Sequence, residues 1–160
     1  MIKRIGLITI IVMIVLSSCS MNMNEYASDV EATELGRLVN EIIDDDAMYM
    51  LDDDVILKYS DKSIPYLVDY CIFRAKESKN INEFGIFRFE DGKTHEFEKL
   101  IIEYVGNLQK SYRAMNYFPS EEEKIDFARI KVYGNYVVYS FLNEEDTDKF
   151  YSTLEEILKK

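Results

Sequence analysis

The sequence predicts an α+β domain in which helices pack on an antiparallel four-stranded sheet. Amphipathic helical patterns open, divide and close the folded part of the chain, and two pairs of segments rich in β-branched and aromatic residues lie between them. A short polar or glycine-containing connection joins the members of each pair. The predicted order is therefore helix, strand, strand, helix, strand, strand, helix, which is typical of α+β domains.

The first helix is predicted to follow Asp29 and to end near Asp44, because apolar residues recur at helical spacing between them. Either Asp29 or Thr33 is the expected N-cap of this helix. Its apolar face consists of Leu35, Leu38, Val39, Ile42 and Ile43.

Two runs of three aspartates, 44–46 and 52–54, invite comparison with a calcium site. An EF-hand loop alternates its acidic ligands, turns at a glycine and ends in a glutamate, and neither run has this pattern. Contiguous carboxylates cannot all converge on one ion, so we expect no metal site here. We expect instead that Asp52 or Asp53 caps a short helix that extends through Tyr59.

The first pair of strands is predicted at 66–74, "YLVDYCIFR", and at 83–90, "EFGIFRFE". The polar stretch "AKESKN" connects the two strands. Asp91 and Gly92 form the turn that follows the second strand.

The longest helix is predicted between Phe97 and Met115, where apolar residues step by three and four along one stripe. Pro119 is expected to stop the segment that precedes it. Ser120 with Glu123 then forms a capping-box pattern for one or two further helical turns. The apolar stripe consists of Phe97, Ile101, Tyr104, Val105, Leu108, Tyr112 and Met115.

The second pair of strands is predicted at 128–133 and 136–142, with Gly134 and Asn135 as the hairpin turn between them. The first strand alternates apolar and polar residues, so we expect it to be half exposed. The second strand, "YVVYSFL", is expected to be buried on both faces. The last helix begins at about Glu145, and its apolar face consists of Phe150, Leu154, Ile157 and Leu158.

The chain begins with a segment typical of secreted proteins. Two basic residues precede an apolar run, 5–16, that is shorter than the roughly 20 residues of a transmembrane helix. The run ends in "LSSC" at 16–19, which resembles a bacterial lipobox. This resemblance implies that residues 1–18 are a signal peptide and that Cys19 carries a diacylglycerol and becomes the first mature residue.

The leader also predicts how the protein is organised and where it resides. We expect residues 19–28 to form the lipidated start and a short tether, and residues 29–160 to form one domain on the outer face of the cytoplasmic membrane. Each buried methylene contributes about 0.8 kcal/mol, so two acyl chains anchor a protein stably. The membrane is therefore a predicted partner, reached through the lipid on Cys19.

The charge of the chain argues against nucleic acid as a partner. The 160 residues include 19 basic and 30 acidic ones, and loss of a leader with two of the basic residues leaves a net charge of −13. Binding to nucleic acid needs clustered lysine and arginine to contact phosphates.

No residue lies in a recognisable catalytic pattern. The sequence lacks nucleophile-elbow, phosphate-loop and dinucleotide-binding motifs. His95 is the single histidine, too few for a zinc site of the usual kind. Cys71 has no disulfide partner once Cys19 is acylated, and we expect it to be a small core residue. We therefore expect no catalytic residue, no metal and no cofactor.

The 12 tyrosines, with no tryptophan, are the unusual feature of the composition. One interpretation is core packing. The other is a surface that binds a ligand or partner, because tyrosine combines apolar area with a hydroxyl group. If such a surface exists, we expect it at Tyr112, Tyr117, Phe118 and Pro119.

Several motifs, taken in order, resemble one protein family. They are the "EFGIFRF" strand, the helix that ends with Gln109 and Tyr112, the "YFPSE" turn, and "GNYVVYSF", in which Gly134 precedes the hydrophobic strand. Together with the leader, they are similar to bacterial lipoproteins, mostly Gram-positive, that carry domain of unknown function 4358, over about residues 29–160. The resemblance implies an anchored extracytoplasmic domain, and it implies no activity, cofactor or catalytic residue.

Two functions are compatible with these observations. The favoured one is a non-enzymatic binding or accessory module of the cell envelope, acting on another envelope protein or on wall material. The alternative is a small hydrolase that uses two carboxylates on envelope material, which requires two acidic side chains to converge in a cleft.

Overall fold

The computed structural model of the chain describes residues 26–27, 29–43, 48–51, 64–115 and 119–159. The predicted signal peptide, Cys19 and the predicted helix through Tyr59 lie outside these ranges. Within them, the elements are α1 Ala32–Ile43, β1 Met48–Met50, β2 Leu67–Ala75, β3 Glu83–Phe89, α2 Thr94–Ala114, α3 Pro119–Asp126, β4 Arg129–Tyr133, β5 Tyr136–Phe141 and α4 Glu144–Leu158.

The strands form one antiparallel sheet in the order β1-β2-β3-β5-β4. The α+β class and the antiparallel pairing are as predicted, but the prediction of four strands is wrong because β1 adds a fifth strand beside β2. The element order also differs, since three strands follow α1 and two helices follow β3. β1 has only three residues between the two aspartate runs, too few to show the alternation that identifies a strand.

Helices cover both faces of the sheet. α1 and α4 pack on one face, α2 packs on the other, and each face has its own apolar core. Full burial of a side chain such as Phe84 or Ile101 contributes about 1.5–3 kcal/mol, so these two cores supply much of the stability. Members of the α1–α4 core include Leu35, Ile86, Val138 and Phe150, and members of the α2 core include Phe87, Phe89, Val137 and Phe141.

β5 is enclosed on both faces, as predicted, and all six of its residues are buried. It lies between β3 and β4 in the sheet. The hairpin from β4 to β5 turns at Gly134, whose φ of 56° lies in the left-handed region that favours glycine. β4 is an outer strand, and Tyr133 is the only one of its five residues that is fully buried. The predicted half-exposed strand is therefore confirmed.

The first turn of α1 is held by a carboxylate from β2. The amide of Ala32 donates to Oδ1 of Asp69 at 3.3 Å, and the guanidinium of Arg88 on β3 donates to both oxygens of the same carboxylate. A negative charge at this position is favoured by the helix dipole. Thr33 lies inside α1, so the prediction that it caps the helix is wrong.

The predicted capping box at Ser120 is also wrong. α3 begins at Pro119, so Ser120 is the second helical residue and does not precede the helix. Proline suits the first helical position because its missing N–H would have no intrahelical partner there. α4 does have a side-chain cap: Oδ1 of Asn143 accepts from the amide of Asp146 at 2.8 Å.

The sheet has two ends that carry different parts of the chain. The Tyr26 end is defined by Tyr26, Tyr66, Phe89, the Gly134–Asn135 turn and Lys159, which are linked by strand pairing and backbone hydrogen bonds. The Glu83 end is defined by Arg74, Glu83, Phe141, the 76–82 loop and α3, which are linked by strand pairing and by contacts of Glu121 and Lys124.

The N-terminal segment of the described chain is bonded to the end of α4. Tyr26 forms an isolated antiparallel bridge with Lys159, and the amide of Ala27 donates to the carbonyl of Leu158 at 2.7 Å. The ring of Tyr26 is buried and lies 5.5 Å from the ring of Tyr133. Contacts with the domain therefore begin three residues before the predicted boundary at Asp29.

Candidate functional site

A groove of about 410 Å³ lies at the Glu83 end, between α3 and the start of α4. Acidic side chains dominate its charged groups. The lining residues are Ser120, Glu123, Lys124, Asp126, Phe127, Asn143 and Glu144.

The acids of the groove belong to two helices that begin nearby. The first turn of α3 contains Glu121 and Glu122, and the first turn of α4 contains Glu144, Glu145 and Asp146. Acidic residues are favoured in the first turn of a helix because the helix dipole places partial positive charge there. The same preference that stabilises both helices thus concentrates negative charge around the groove.

Lys124 is the basic residue of the groove, and its charge is already matched. Its Nζ lies 2.9 Å from both carboxylate oxygens of Glu121 and 3.2 Å from Oδ1 of Asn80. The amide of Ile81 also donates to Oε2 of Glu121, at 2.9 Å. These bonds fix the 76–82 loop against α3. Because Lys124 is paired with Glu121, it does not offset the negative charge of Glu123 and Glu144 in the lining of the groove.

A buried carboxylate lies at the same end of the sheet, between β2, β3, β5 and α2. The side chain of Glu83 is 0% exposed. Its Oε2 accepts from Nε of Arg74 at 2.5 Å and from the hydroxyl of Tyr112 at 3.2 Å. Its Oε1 accepts from the hydroxyls of Tyr139 at 2.7 Å and Tyr104 at 3.5 Å. We call these five residues the Glu83 cluster.

The electrostatics of the Glu83 cluster follow from its burial. Burial, reinforced by the charge of Glu83, raises the pKa of Tyr139 and of Tyr112 above their ordinary value. Burial disfavours the charged form of Arg74, but the adjacent Glu83 carboxylate outweighs this and raises the pKa of Arg74. The cluster is therefore one anion held by one cation and by neutral phenol donors.

A glycine makes room for this arrangement. Gly85 is paired with Tyr139 across β3 and β5, and a Cβ at Gly85 would collide with the ring of Tyr139 and crowd Phe87. Because Gly85 has no side chain, the Tyr139 ring occupies the space that a Cβ at position 85 would fill.

The Glu83 cluster acts as a clamp between α2 and the sheet. Two of its donors, Tyr104 and Tyr112, come from α2, and the other groups come from β2, β3 and β5. Each oxygen of Glu83 has at least two donors, so its bonding capacity is largely used inside the protein. Nε2 of Gln109 on α2 also donates to the carbonyl of Ile125 on α3 at 3.3 Å. This bond connects α3, which lines the groove, to α2, which the Glu83 cluster holds on the sheet.

The structure separates the residues of the predicted binding surface. Tyr112 is half-buried, with its hydroxyl on Glu83 and its ring 5.5 Å from Phe141. Pro119 is exposed at the start of α3. Tyr117 and Phe118 lie outside the described residues, as does the predicted lipidation residue Cys19. A binding surface around Tyr117 thus stays a prediction.

Cys71 and His95, which the sequence also drew attention to, lie away from the groove and from the Glu83 cluster. Cys71 is buried in the α1–α4 core, as predicted, and burial raises the pKa of its thiol to about 12. His95 is exposed in the first turn of α2, where its Nδ1 lies 3.8 Å from a carboxylate oxygen of Glu98. Neither residue is part of the groove or of the Glu83 cluster.

The importance of Glu83 was missed in the sequence. A single charged residue at the start of a predicted strand is ordinary, and Arg74 lies nine residues away on the preceding strand. Their pairing depends on the antiparallel register of β2 and β3, and the tyrosine donors come from 21 to 56 residues away. An acid within the apolar run "EFGIFRF" was the one available signal.

The described part of the chain contains neither a metal-binding cluster nor a membrane-spanning helix. Among these residues, no set of three or more His, Cys, Asp or Glu side chains is grouped so as to hold a metal ion. Within the same ranges, none of the helices combines the length and the apolar character needed to cross a bilayer.

The geometry defines a small α+β domain with a five-stranded antiparallel sheet, a buried carboxylate clamp and an acidic groove. Residues 65–142 match a family model described as a domain of unknown function (DUF4358). The matched segment contains β2 to β5, α2 and α3, and therefore the whole Glu83 cluster. Neither the curated proteins nor the solved structures contain a significant match to the chain.

Proposed function

We propose that this protein is a lipid-anchored lipoprotein on the outer face of the cytoplasmic membrane, where it acts as a non-enzymatic binding or accessory module of the cell envelope. The observation that carries the proposal is the leader that ends in "LSSC" at 16–19. The similarity to mostly Gram-positive lipoproteins supports it, and the match of residues 65–142 to the domain of unknown function is consistent with that similarity.

The acidic groove is the proposed binding site of this module. It is concave, it lies on the outside of the domain, and its acidic lining residues are Glu123, Asp126 and Glu144. A groove of this charge favours a partner that presents amine or guanidinium groups, because opposite charges increase both the rate of encounter and the specificity of binding. The proposed partner is accordingly a basic segment of another envelope protein, or wall material that carries free amines.

The Glu83 cluster supports a binding module rather than an enzyme built on that carboxylate. A catalytic acid or base must reach a proton on the substrate, directly or through one water. Glu83 is fully buried and its oxygens are occupied by Arg74, Tyr112 and Tyr139. Its contribution to function is to keep α2, and through α2 the groove, in a fixed position.

The alternative function, a small carboxylate-dependent hydrolase, is favoured by one observation. The groove brings Glu123, Asp126 and Glu144 to one concave surface. Two carboxylates on opposite sides of a bound sugar are the minimum machinery of many glycoside hydrolases. If the protein cleaves wall glycans, Glu123→Gln or Glu144→Gln should abolish release of soluble fragments, whereas Glu156→Gln on the outside of α4 should leave it unchanged.

The anchor can be tested on the native protein with its two cysteines. Mass spectrometry of the protein isolated from cells should show a diacylglycerol-modified N-terminal Cys19. The variant Cys19→Ser should leave the membrane fraction, whereas the matched variant Cys71→Ala should remain in it. An unmodified Cys19, or recovery of wild-type protein in the cytosol, would overturn the proposed location.

The binding function can be tested by cross-linking in intact cells. The full-length chain is cross-linked and purified, and partner recovery is compared for wild type, the double variant Glu123→Gln/Glu144→Gln and the control Glu156→Gln. Loss of a partner in the double variant alone supports the groove as the binding site. Equal recovery from all three proteins excludes the groove, and Tyr117→Ala then tests the surface predicted from the sequence.

A further inference from the structure

We propose that the Tyr26 end of the domain lies against the lipid surface and that the acid-rich Glu83 end points away from it. The partner of this surface is the headgroup layer of the membrane that holds the anchor. The inference rests on the proposed lipid anchor at Cys19, and it adds a defined orientation, an interaction surface and an outward direction for the groove.

The number of residues between Cys19 and Tyr26 limits how far the Tyr26 end can lie from the membrane. Tyr26 is seven residues after Cys19, and a fully extended chain spans at most about 3.3–3.6 Å per residue, so this link reaches no more than about 25 Å. Because Tyr26 is bonded to Lys159 and packed on Tyr133, the link is attached at one end of the sheet. β2 has nine residues and is therefore about 30 Å long, which exceeds the roughly 25 Å of the link. With the strands perpendicular to the membrane, the Tyr26 end is the end that the link holds near the lipid.

The side chains at the Tyr26 end suit a lipid headgroup layer. Tyr66 is 43% exposed and Val68 is 52% exposed, and the Nζ of Lys93 lies 4.7 Å from the centre of the Tyr66 ring. Tyrosine is enriched at the interface between membrane and water, where its ring meets apolar material and its hydroxyl stays wet, and lysine is attracted to anionic lipid.

The backbone at Tyr66 indicates that this side chain is held in place. Its φ is 63°, and among the described residues it is the one non-glycine residue with positive φ. A bulky residue in this conformation is strained, whereas glycine or asparagine would fit with less cost. The backbone carbonyl of Tyr66 accepts from the amide of Glu90 at 2.9 Å, so the turn is anchored to the end of β3.

The carboxylates around the groove disfavour contact with anionic lipid through that part of the domain. The first turns of α3 and α4 place five carboxylates at the Glu83 end, and Glu123 adds a sixth, against which Lys124 and Lys149 make ion pairs. Anionic lipid repels this end within a Debye length of about 8 Å at physiological salt. Glu90 and Asp91 carry negative charge at the Tyr26 end as well. The short link to Cys19 and the side chains of Tyr66, Val68 and Lys93 therefore set the orientation, and the net charge does not.

The test uses the full-length lipidated protein in vesicles of phosphatidylcholine and phosphatidylglycerol. Two variants with one added cysteine each, Val68→Cys at the Tyr26 end and Tyr49→Cys near the Glu83 end, are labelled with the same fluorophore under native conditions, in which Cys71 is buried. The two positions are similarly exposed, at 52% and 44%, and Tyr49 pairs with Arg74 at the far end of β2. A quencher attached to lipid headgroups should reduce the emission of the label at 68 several-fold more than that of the label at 49.

Two further outcomes separate this inference from the proposed anchor. If wild-type protein fails to float with the vesicles, the anchor is absent and the proposed function fails. If it floats but the two labels are quenched equally, or the label at 49 more strongly, the anchor holds and the orientation is wrong. Lys93→Gln combined with Tyr66→Ser should reduce the quenching at 68 without releasing the protein, which a purely passive tether would not show.

Discussion

Arg74 and Glu83 face each other across β2 and β3, and Nε of Arg74 donates to Oε2 of Glu83 at 2.5 Å. This pair is the centre of the Glu83 cluster, and Tyr104 and Tyr112 connect it to α2. The stability of the domain should therefore depend on this pair.

Replacement of Glu83 should destabilise the domain strongly. Glu83→Leu leaves Arg74 and the phenol groups without their acceptor, and removal of one partner of a buried ion pair costs about 3–5 kcal/mol. Since the side chain of Arg74 is 28% exposed, we expect a loss of about 3 kcal/mol in the free energy of unfolding, measured in urea. The exposed pair Arg113–Asp126 is the control: Asp126→Asn should change stability by about 0–1 kcal/mol. Equal effects would show that Glu83 is not a clamp.

The hydroxyl of Tyr139 should matter more than that of Tyr104. It donates to Glu83 at 2.7 Å, whereas the Tyr104 hydroxyl is 3.5 Å from the same oxygen. Tyr139→Phe retains the ring and should lower the free energy of unfolding by about 1.5–3 kcal/mol, the usual contribution of a hydrogen bond to a charged group. Tyr104→Phe should cost less than about 1 kcal/mol. The reverse order would contradict the geometry of the cluster.

Two glycines should respond oppositely to alanine. A methyl group at Gly85 would collide with Tyr139, so Gly85→Ala should destabilise the domain by about 1–3 kcal/mol through overpacking. Gly106 lies within α2 and has no atom within 4 Å of an added Cβ. Gly106→Ala should therefore stabilise the protein by as much as about 1 kcal/mol through helix propensity. Thermal unfolding of both variants tests the pair.

Stability should fall above about pH 10. Burial raises the pKa of Tyr136 to about 12 and raises the pKa of Tyr139 well above its ordinary value of 10.0. Between these values the unfolded chain loses phenol protons that the folded chain keeps, so rising pH favours unfolding. The free energy of unfolding, measured from pH 8 to 11.5, should decline beyond pH 10, and Tyr136→Phe should reduce the slope. A flat profile would contradict the buried phenols.

Cys71 should be inert in the folded protein. It is 2% exposed, and burial raises the pKa of its thiol to about 12, so both access and thiolate are lacking at neutral pH. A maleimide should label Cys71 only after unfolding in urea, whereas an introduced cysteine at Val68 should react in the native state. Rapid labelling of native Cys71 would show that the α1–α4 core opens readily.

Much of the fold was predictable because local patterns agree with the final packing. The stripe along α2 and the largely apolar "YVVYSFL" identify a helix and a central strand without reference to the rest of the molecule. β1 was missed because three residues cannot show a period, and its pairing partner Arg74 lies 25 residues further along the chain. The caps at Thr33 and Ser120 failed because the helix starts are fixed by Asp69, a residue from β2, and by Pro119.

The candidate site was predictable only in part. Tyr112 and Pro119 attracted attention for their residue types, but their surroundings depend on tertiary contacts. Tyr112 points to a carboxylate 29 residues away, and the acidic groove joins residues from α3 and α4 that no motif connects. Sequence patterns report which face of an element is apolar, whereas this site arises where separate elements meet.

The bridge between Tyr26 and Lys159 has a mechanical consequence. Tension applied along the N-terminal segment would first be borne by the Ala27–Leu158 hydrogen bond and by the last turn of α4. The hydrogen bonds of the central strands would be loaded only after this contact had peeled away. A force applied to the protein from outside would thus unfold the end of α4 before it separated the strands of the sheet, and the two apolar cores would stay folded at low force.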